Sequence, residues 1–283
     1  MTDANRNLLS RVLSAAVLLP VVLWLAWRGG LPFAVLIAVA TAVAAFEVNG
    51  LPWAPRPEEV PKAPGGPLSL SMVASVVVAG LLPLLSEVPL FGLNAAGLIA
   101  ALVIVSLFDA LFFELSLERA PTRVGLAVLG AAWPGLLLAY LVPLRQLPHG
   151  GGWILLALTV TWANDTGGYF AGRFLGRHKL FPRVSPNKTW EGFAGGMAAS
   201  IAGALVVQQL FIPELPVWAA VIVGGGAGLL GPVGDLSESM LKRAFGAKDS
   251  GRLLPGHGGM LDRIDALFFN APYVLLCARL FAS

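Results

Sequence analysis

The sequence predicts an all-α, polytopic membrane protein. Of its 283 residues, 57% are hydrophobic and only 12% are charged, and the mean hydropathy is +0.77. Soluble domains carry about 25% charged residues. Apolar runs of the ~20 residues that span a bilayer as a helix fill most of the chain. Because the polar gaps are too short to fold alone, we expect one integral membrane domain over 1–283, with an active site built from helix ends and loops.

The hydropathy pattern predicts nine transmembrane helices. We place them at roughly 8–28, 31–49, 68–86, 92–114, 124–145, 152–172, 191–212, 216–236 and 260–281. The first is expected to be an uncleaved helix rather than a signal peptide, because no small-x-small cleavage site follows Trp27. We expect residues 1–120 to form an N-terminal scaffold that can supply dimer contacts. Residues 121–283 are expected to hold the catalytic helices, with cytoplasmic loops at 173–190 and 242–259.

The distribution of positive charge predicts the orientation of these helices. With the N-terminus in the cytoplasm, 16 of the 19 Lys and Arg residues fall on the cytoplasmic side, and Arg28, Arg145 and Arg279 fall outside. Cytoplasmic loops of membrane proteins carry an excess of Lys and Arg. We therefore expect a cytoplasmic N-terminus and an external C-terminus. The two most basic loops then lie on the same side of the membrane and can share one site.

The most polar stretch of the chain lies between Ser239 and Asp265. Its Lys and Arg side chains suit phosphate oxygens, its carboxylates suit Mg²⁺, and its Gly-His-Gly-Gly turn lets backbone N–H groups approach an anion. This chemistry suggests phosphoryl or nucleotidyl transfer at a membrane surface, and the alternative is a solvated loop between two helices. The charged residues are Lys242, Arg243, Lys248, Asp249, Arg252, Asp262, Arg263 and Asp265.

A second polar cluster lies around the sixth and seventh predicted spans. Asp165 is near the end of an apolar helix, where an acid costs about 2.5–3.5 kcal/mol on insertion scales and usually has a partner. The alternative is a carboxylate that faces water at the helix end. Further on, Ser185 is predicted to cap the next helix, and Glu191 favours its dipole. Lys188 and Thr189, at the same helix start, suit a phosphate, although the segment is not a Walker A loop.

Four acids near the ends of the last two spans predict a magnesium site. Asp235 and Glu238 are three residues apart and share a helix face, as do Asp262 and Asp265. Mg²⁺ is commonly held by one or two carboxylates together with phosphates and water. The alternative is that the acids form ion pairs with Arg243 and Arg263. The glycines from Gly224 to Gly234 are expected to permit close helix packing or a broken helix beside a site.

The stretch Ser239-x-Leu-Lys-Arg-x4-Lys-Asp-x-Gly-x2-Leu-Pro-x-His-Gly-Gly-Met-x-Asp-Arg-Ile-Asp265 resembles the signature of phosphatidate cytidylyltransferases, also called CDP-diacylglycerol synthases. The segments around Asp165 and 185–192 are similar to that family too, although Asn187 and Gly168 depart from its common residues. The resemblance implies conversion of CTP and phosphatidate to CDP-diacylglycerol and pyrophosphate. It implies Mg²⁺ as cofactor, with K⁺ as a second cation associated with the fold.

The resemblance also implies roles for individual residues. Asp235 and Asp262 match the metal-binding acids. The signature's other polar positions are expected to act in catalysis: Lys242, Arg243, Lys248, Asp249, His257, Arg263 and Asp265. Substrate binding is expected from Asp165, Arg173, Arg177, Ser185, Lys188, Thr189, Glu191, Gly258 and Gly259.

The expected partners are CTP, phosphatidate in the bilayer, other membrane lipids and a second copy of the chain in a homodimer, but no nucleic acid. The expected location is the inner membrane, with the active site facing the cytoplasm. A different CTP-dependent lipid kinase is the nearest alternative. An anion transporter is a more distant one, because it would place polar residues near the bilayer midplane, whereas the charges here crowd at one face.

Overall fold

The computed structural model describes residues 19–53, 68–88, 93–114, 117–251 and 258–281. These described residues form nine main helices and one β-hairpin. The helices are α1 (Leu19–Arg28), α2 (Gly30–Gly50), α3 (Leu70–Leu81), α4 (Ala95–Phe113), α5 (Ala120–Gln146), α6 (Gly150–Leu175), α7 (Trp190–Phe211), α8 (Val217–Ala244) and α9 (Leu261–Phe281). The hairpin pairs β1 (Lys179–Phe181) with β2 (Ser185–Thr189) in antiparallel fashion.

The described helices confirm a predominantly α-helical, polytopic membrane protein. Six of them are long and apolar enough to cross a bilayer: α2, α4, α5, α7, α8 and α9. The helices α1 and α3 are apolar but shorter over the described residues. The second half of α6 carries Asn164, Asp165 and several glycines, which lower its hydropathy. Each predicted span overlaps one described helix, although residues 8–18 of the first span lie outside the described residues. The crossing by all nine and the sidedness of the termini stay predictions.

Polar side chains cap the starts of several helices. Ser69 accepts a hydrogen bond from the Met72 N–H at 3.1 Å before α3, and Asn94 accepts one from the Gly97 N–H at 2.8 Å before α4. Before α7, Thr189 accepts one from the Gly192 N–H at 3.1 Å. Each cap satisfies a backbone donor that has no partner inside its helix. The prediction that Ser185 is the cap of α7 was therefore wrong, because Ser185 begins strand β2.

The chain divides into two compact units. The first comprises Met1–Val142 and Ala244–Arg263. Its helices α3, α4 and α5, together with Leu82 directly after α3, share an apolar cluster whose other members are Val78, Leu98, Leu102 and Ala131. Helix α2 is joined to α3 by the Thr41 hydroxyl, which donates to the Ala79 carbonyl at 2.8 Å. Such hydrogen bonds between helices supplement van der Waals packing where lipid supplies no hydrophobic driving force.

The second unit comprises Pro143–Arg243 and Ile264–Ser283. Glycines bring its helices into close contact. A Cβ added at Gly195 of α7 would lie 2.2 Å from the Cβ of Ala171 on α6, and one added at Gly228 of α8 would lie 2.9 Å from the Met197 Cα on α7. On α8, a Cβ at Gly234 would lie 2.5 Å from the Asp265 carbonyl oxygen of α9. Helix α8 runs unbroken through these glycines, so they serve packing rather than a helix break.

Candidate active site

Three acidic side chains from three helices of the second unit interact with one another. Asp165 of α6, Asp235 of α8 and Asp265 of α9 influence each other electrostatically. We call these three residues the carboxylate cluster. The ammonium of Lys188, at the end of β2, forms an ion pair with Asp235 Oδ2 and also acts on Asp165. The close glycine-mediated packing of these helices makes the meeting of three acids possible.

The hairpin that carries Lys188 is fastened to the start of α7. The Glu191 carboxylate accepts hydrogen bonds from the Arg177 N–H at 3.1 Å and the His178 N–H at 3.2 Å. It also contacts His178 Nδ1 at 2.6 Å. At the same end of the hairpin, the Trp190 N–H donates to the His178 carbonyl at 2.9 Å. Glu191 therefore holds the hairpin, and through it positions Lys188, rather than standing free for a substrate.

The last turn of α8 contains a buried ion pair. Lys242 Nζ lies 3.0 Å from Glu238 Oε2, and the side chains are only 10% and 2% exposed. Glu238 also interacts with Asp265. Lys242 and Arg243 are helical, whereas the sequence predicted them in a loop that starts at residue 242. The described Lys242 ammonium neutralises Glu238, while Arg243 is exposed.

We call the segment between α8 and α9, residues 245–260, the signature loop. Its described residues, 245–251 and 258–260, belong to the first unit. Lys248 and Asp249 are exposed, and Ser250 is buried. Asp262, in the first turn of α9, uses Oδ2 to accept from the Ser250 hydroxyl at 2.9 Å and from the Ser250 and Gly259 N–H groups at 3.1 Å. Gly258 has a φ of 79°, which glycine adopts readily. Asp262 thus orders the loop as well as offering a carboxylate at its end.

Glu47 of α2 is a functional candidate that the sequence analysis missed. It is 4% exposed and accepts hydrogen bonds from the Ser250 hydroxyl and from the Met260 and Leu261 N–H groups. We call Glu47, Ser250 and Asp262 the loop cluster. The available signal was an acid inside an apolar run, the same signal that drew attention to Asp165. It was overlooked because its partners lie more than 200 residues away in sequence.

The remaining predicted residues have varied surroundings. Arg173 donates to the Tyr169 hydroxyl at 2.6 Å and lies over its ring, with 5.9 Å between the guanidinium carbon and the ring centroid. Arg177 and Arg263 are exposed, and Gly259 is buried. His257 and Arg252 lie outside the described residues.

The predicted Mg²⁺ can be compared with the donors present. Over the described ranges, no group of three or more His, Cys, Asp or Glu side chains is arranged to hold a metal ion. Mg²⁺ nevertheless uses one or two protein carboxylates when substrate phosphates and water complete its shell. Asp235 and Asp262 supply the hard oxygen donors that this ion prefers. Asp235 Oδ2 pairs with Lys188 and its Oδ1 accepts from the Ser239 hydroxyl at 3.4 Å, whereas the described contacts of Asp262 use Oδ2. The donor chemistry fits Mg²⁺ brought together with a phosphate substrate.

Comparison with known proteins identifies the family. The chain matches the Cytidylyltransferase family over residues 9–281 and belongs to it. It is 36% identical to the phosphatidate cytidylyltransferase of Brucella suis, over 98% of this chain and 95% of that protein. It is 34% identical to the phosphatidate cytidylyltransferase of Bacillus subtilis over the full length of both. The protein of that name from Staphylococcus epidermidis is 44% identical over 145 residues, 51% of this chain and 55% of the relative. The family resemblance inferred from the signature is therefore confirmed.

Proposed function

We propose that this chain transfers CMP from CTP to phosphatidate, giving CDP-diacylglycerol and pyrophosphate. The observation that carries the proposal is the full-length similarity to enzymes named for this reaction. The carboxylate cluster beside Lys188 supports it, because phosphates and the cations that accompany them need both kinds of group. Apolar helices carry these groups, and such helices suit a substrate whose acyl chains stay in the bilayer.

The reaction is a displacement at phosphorus. An oxygen of the phosphatidate phosphate forms a bond to the α-phosphorus of CTP, and the bond between that phosphorus and the α,β-bridging oxygen breaks, releasing pyrophosphate. The attacking phosphate is already ionised at neutral pH, so no strong general base is required. The main difficulty is the approach of two polyanions. Catalysis then depends on positioning and on neutralising charge.

The basic residues of the chain have distinct roles in this proposal. Lys188, held between the hairpin and Asp235, binds a phosphate of either substrate, and Arg173 or Arg177 assists it. Arg243, Lys248 and Arg263 offset the charge of the triphosphate. Lys242 acts through Glu238 instead, because the two side chains form a buried pair.

Mg²⁺ is part of the proposal, with Asp235 and Asp262 as its protein ligands. When bound, the ion would withdraw charge from the phosphates and from the leaving pyrophosphate. Asp165 and Asp265 add negative charge beside Asp235, which favours a cation there over a bare anion. K⁺ as a second cation, a homodimeric state and an inner-membrane location with a cytoplasmic site extend this proposal.

A turnover assay tests the proposed reaction. Detergent-purified protein is incubated with phosphatidate and α-labelled CTP, with Mg²⁺ or with EDTA. The expected result is label in a lipid product that depends on Mg²⁺ and disappears with Asp262→Asn. Near-normal turnover by folded Asp262→Asn protein would refute the metal assignment.

A second labelling scheme distinguishes cytidylyl transfer from the nearest alternative reaction, phosphorylation of a lipid by CTP. A CTP-dependent lipid kinase would transfer label from γ-labelled CTP to a polyprenol and would give no lipid label from α-labelled CTP. That pattern would overturn the proposed cytidylyl transfer.

A further inference from the structure

The Glu47 carboxylate accepts hydrogen bonds at the start of α9, a helix that is distant from it in sequence. Its Oε2 accepts from the Leu261 N–H at 2.8 Å, and its Oε1 accepts from the Met260 N–H at 3.0 Å. Leu261 is the first residue of α9. The first N–H groups of a helix have no partner within the helix, and a carboxylate at this end also interacts favourably with the helix dipole. Glu47 of α2 therefore caps α9 from another part of the chain.

The same carboxylate also contacts Ser250, in the segment before α9. The Ser250 hydroxyl lies 3.2 Å from Glu47 Oε2 and 2.9 Å from Asp262 Oδ2. A hydroxyl has one proton to donate, so Ser250 donates to one of these two acids at a time. Through this hydroxyl, the position of Glu47 is coupled to that of Asp262.

Two glycines, Gly251 and Gly259, lie directly against the side chains of the loop cluster. A Cβ added at Gly251 would lie 2.5 Å from Glu47 Oε1. One added at Gly259 would lie 1.9 Å from Ser250 Oγ and 2.7 Å from Glu47 Oε2. All three distances are shorter than the contacts that real Cβ atoms make, so glycine at both positions leaves room for Glu47 and Ser250.

We propose that Glu47 is a positioning residue for the transfer reaction, because it holds Ser250, Met260 and the start of α9 and so places Asp262. This inference rests on the proposed function for its catalytic consequence. Its structural part, the capping of α9 and the anchoring of the loop, can be measured separately. It gives helix α2 a role in placing a proposed metal ligand as well as in the membrane scaffold.

The test replaces Glu47 and compares it with a second buried acid. Glu47→Gln keeps the size of the side chain but removes its charge, which weakens its hydrogen bonds to N–H groups. Asp109→Asn is the matched control. Asp109 is 2% exposed in the same unit, accepts from the Ser71 N–H at 3.1 Å near the start of α3, and pairs with Arg123. It makes no described contact with the loop cluster.

Hydrogen–deuterium exchange gives the structural readout on purified, monodisperse protein. In Glu47→Gln, we expect the Met260 and Leu261 amides to exchange about tenfold faster or more, a loss of about 1.4 kcal/mol of protection. Asp109→Asn should leave these amides at the wild-type rate. Wild-type exchange in Glu47→Gln would overturn the proposal, as would equal acceleration in both variants. If Glu47→Gln does not fold, Glu47→Asp, which withdraws the carboxylate by one methylene, is measured by the same criteria.

Kinetics give the catalytic readout. For Glu47→Gln, we expect kcat per folded molecule to fall about tenfold or more, with the KM for phosphatidate changed less than about twofold. A normal kcat in an active wild-type background would overturn the positioning role. An inactive wild type would instead refute the proposed function, and the exchange measurement would still decide whether Glu47 anchors the loop.

Discussion

The acids of the loop cluster and the acids of the carboxylate cluster have different interaction partners. In the loop cluster, Glu47 and Asp262 accept hydrogen bonds from backbone N–H groups and from the Ser250 hydroxyl. In the carboxylate cluster, three acids interact with each other, and Lys188 is the cation described beside them. Hydrogen bonds from backbone donors stabilise a carboxylate as an anion, whereas burial and a neighbouring carboxylate raise the cost of its charge. Glu47 experiences both effects, because it is buried and Asp262 lies beside it.

This difference separates two uses of a carboxylate near a membrane. An acid whose oxygens are satisfied by backbone donors determines the shape of the chain. An acid placed beside other acids is stabilised by an added positive charge, so it is suited to a cation that arrives with a substrate. Asp262 combines a structural and a proposed catalytic use. Its Oδ2 accepts hydrogen bonds from Ser250 and Gly259, and the residue is also a proposed metal ligand.

The largest effect is expected from Asp235→Asn. It removes the charge that pairs with Lys188 and that is proposed to hold Mg²⁺. We expect kcat to fall about 10³-fold, in line with the removal of a group that stabilises developing charge, while the protein stays folded. Steady-state turnover and size-exclusion chromatography of the same preparation measure both. A fall of less than tenfold would mean that the carboxylate cluster is not part of the reacting site.

Lys188→Met is expected to have the next largest effect. It leaves the carboxylate cluster without its described cation and removes a proposed phosphate contact, so kcat/KM should fall about 10²-fold. Lys188→Arg, which keeps the charge, should recover part of the loss. The double variant Lys188→Met/Asp235→Asn should be no worse than Asp235→Asn alone, because the paired residues are not independent. Fully additive losses would contradict the coupling.

Lys242→Met tests the buried ion pair between Lys242 and Glu238. It leaves Glu238 buried without its described ammonium partner, and we expect the free energy of unfolding to fall by about 3–5 kcal/mol. The double variant Glu238→Gln/Lys242→Met should recover much of that stability, because no charge remains buried. Thermal unfolding in detergent compares the two. A stable but inactive Lys242→Met would instead support direct contact of Lys242 with substrate.

The smallest effect is expected from His178→Ala. Its ring is exposed, and exposed ion pairs contribute little. Glu191 would still accept the N–H groups of residues 177 and 178, so the hairpin should keep its place. We expect kcat/KM to change less than about threefold. A larger loss would mean that the imidazole itself contacts a substrate.

The sequence was sufficient for the helices and for much of the polar chemistry. Span length and apolar composition identify a helix without tertiary information, so each predicted span overlaps a helix over the residues that the structure describes. The hairpin was not predicted, since its two short strands carry a proline and basic residues between helices and have no alternating apolar pattern. The cap of α7 was misplaced because Ser185 and Thr189 are both good caps, and only the hairpin decides between them.

The candidate site was predicted in part. Asp165 was identified as an acid near the end of an apolar helix, Asp235 as half of an acid pair on one helix face, and Lys188 as a basic residue at a helix start. The structure brings these three residues together. The burial of Lys242 and the contacts of Glu47 could not be predicted in this way. Both depend on which helices pack together, and that information is tertiary.

The glycine contacts between α6 and α7 have a consequence for lipid traffic. A Cβ added at Gly192 would already lie 2.9 Å from the Gly168 carbonyl oxygen, and one at Gly195 would lie 2.2 Å from the Ala171 Cβ. At Gly192 and Gly195 the two helices leave no room for a methyl group, and therefore none for a hydrocarbon tail. We therefore expect the acyl chains of a lipid not to pass between α6 and α7 at these positions.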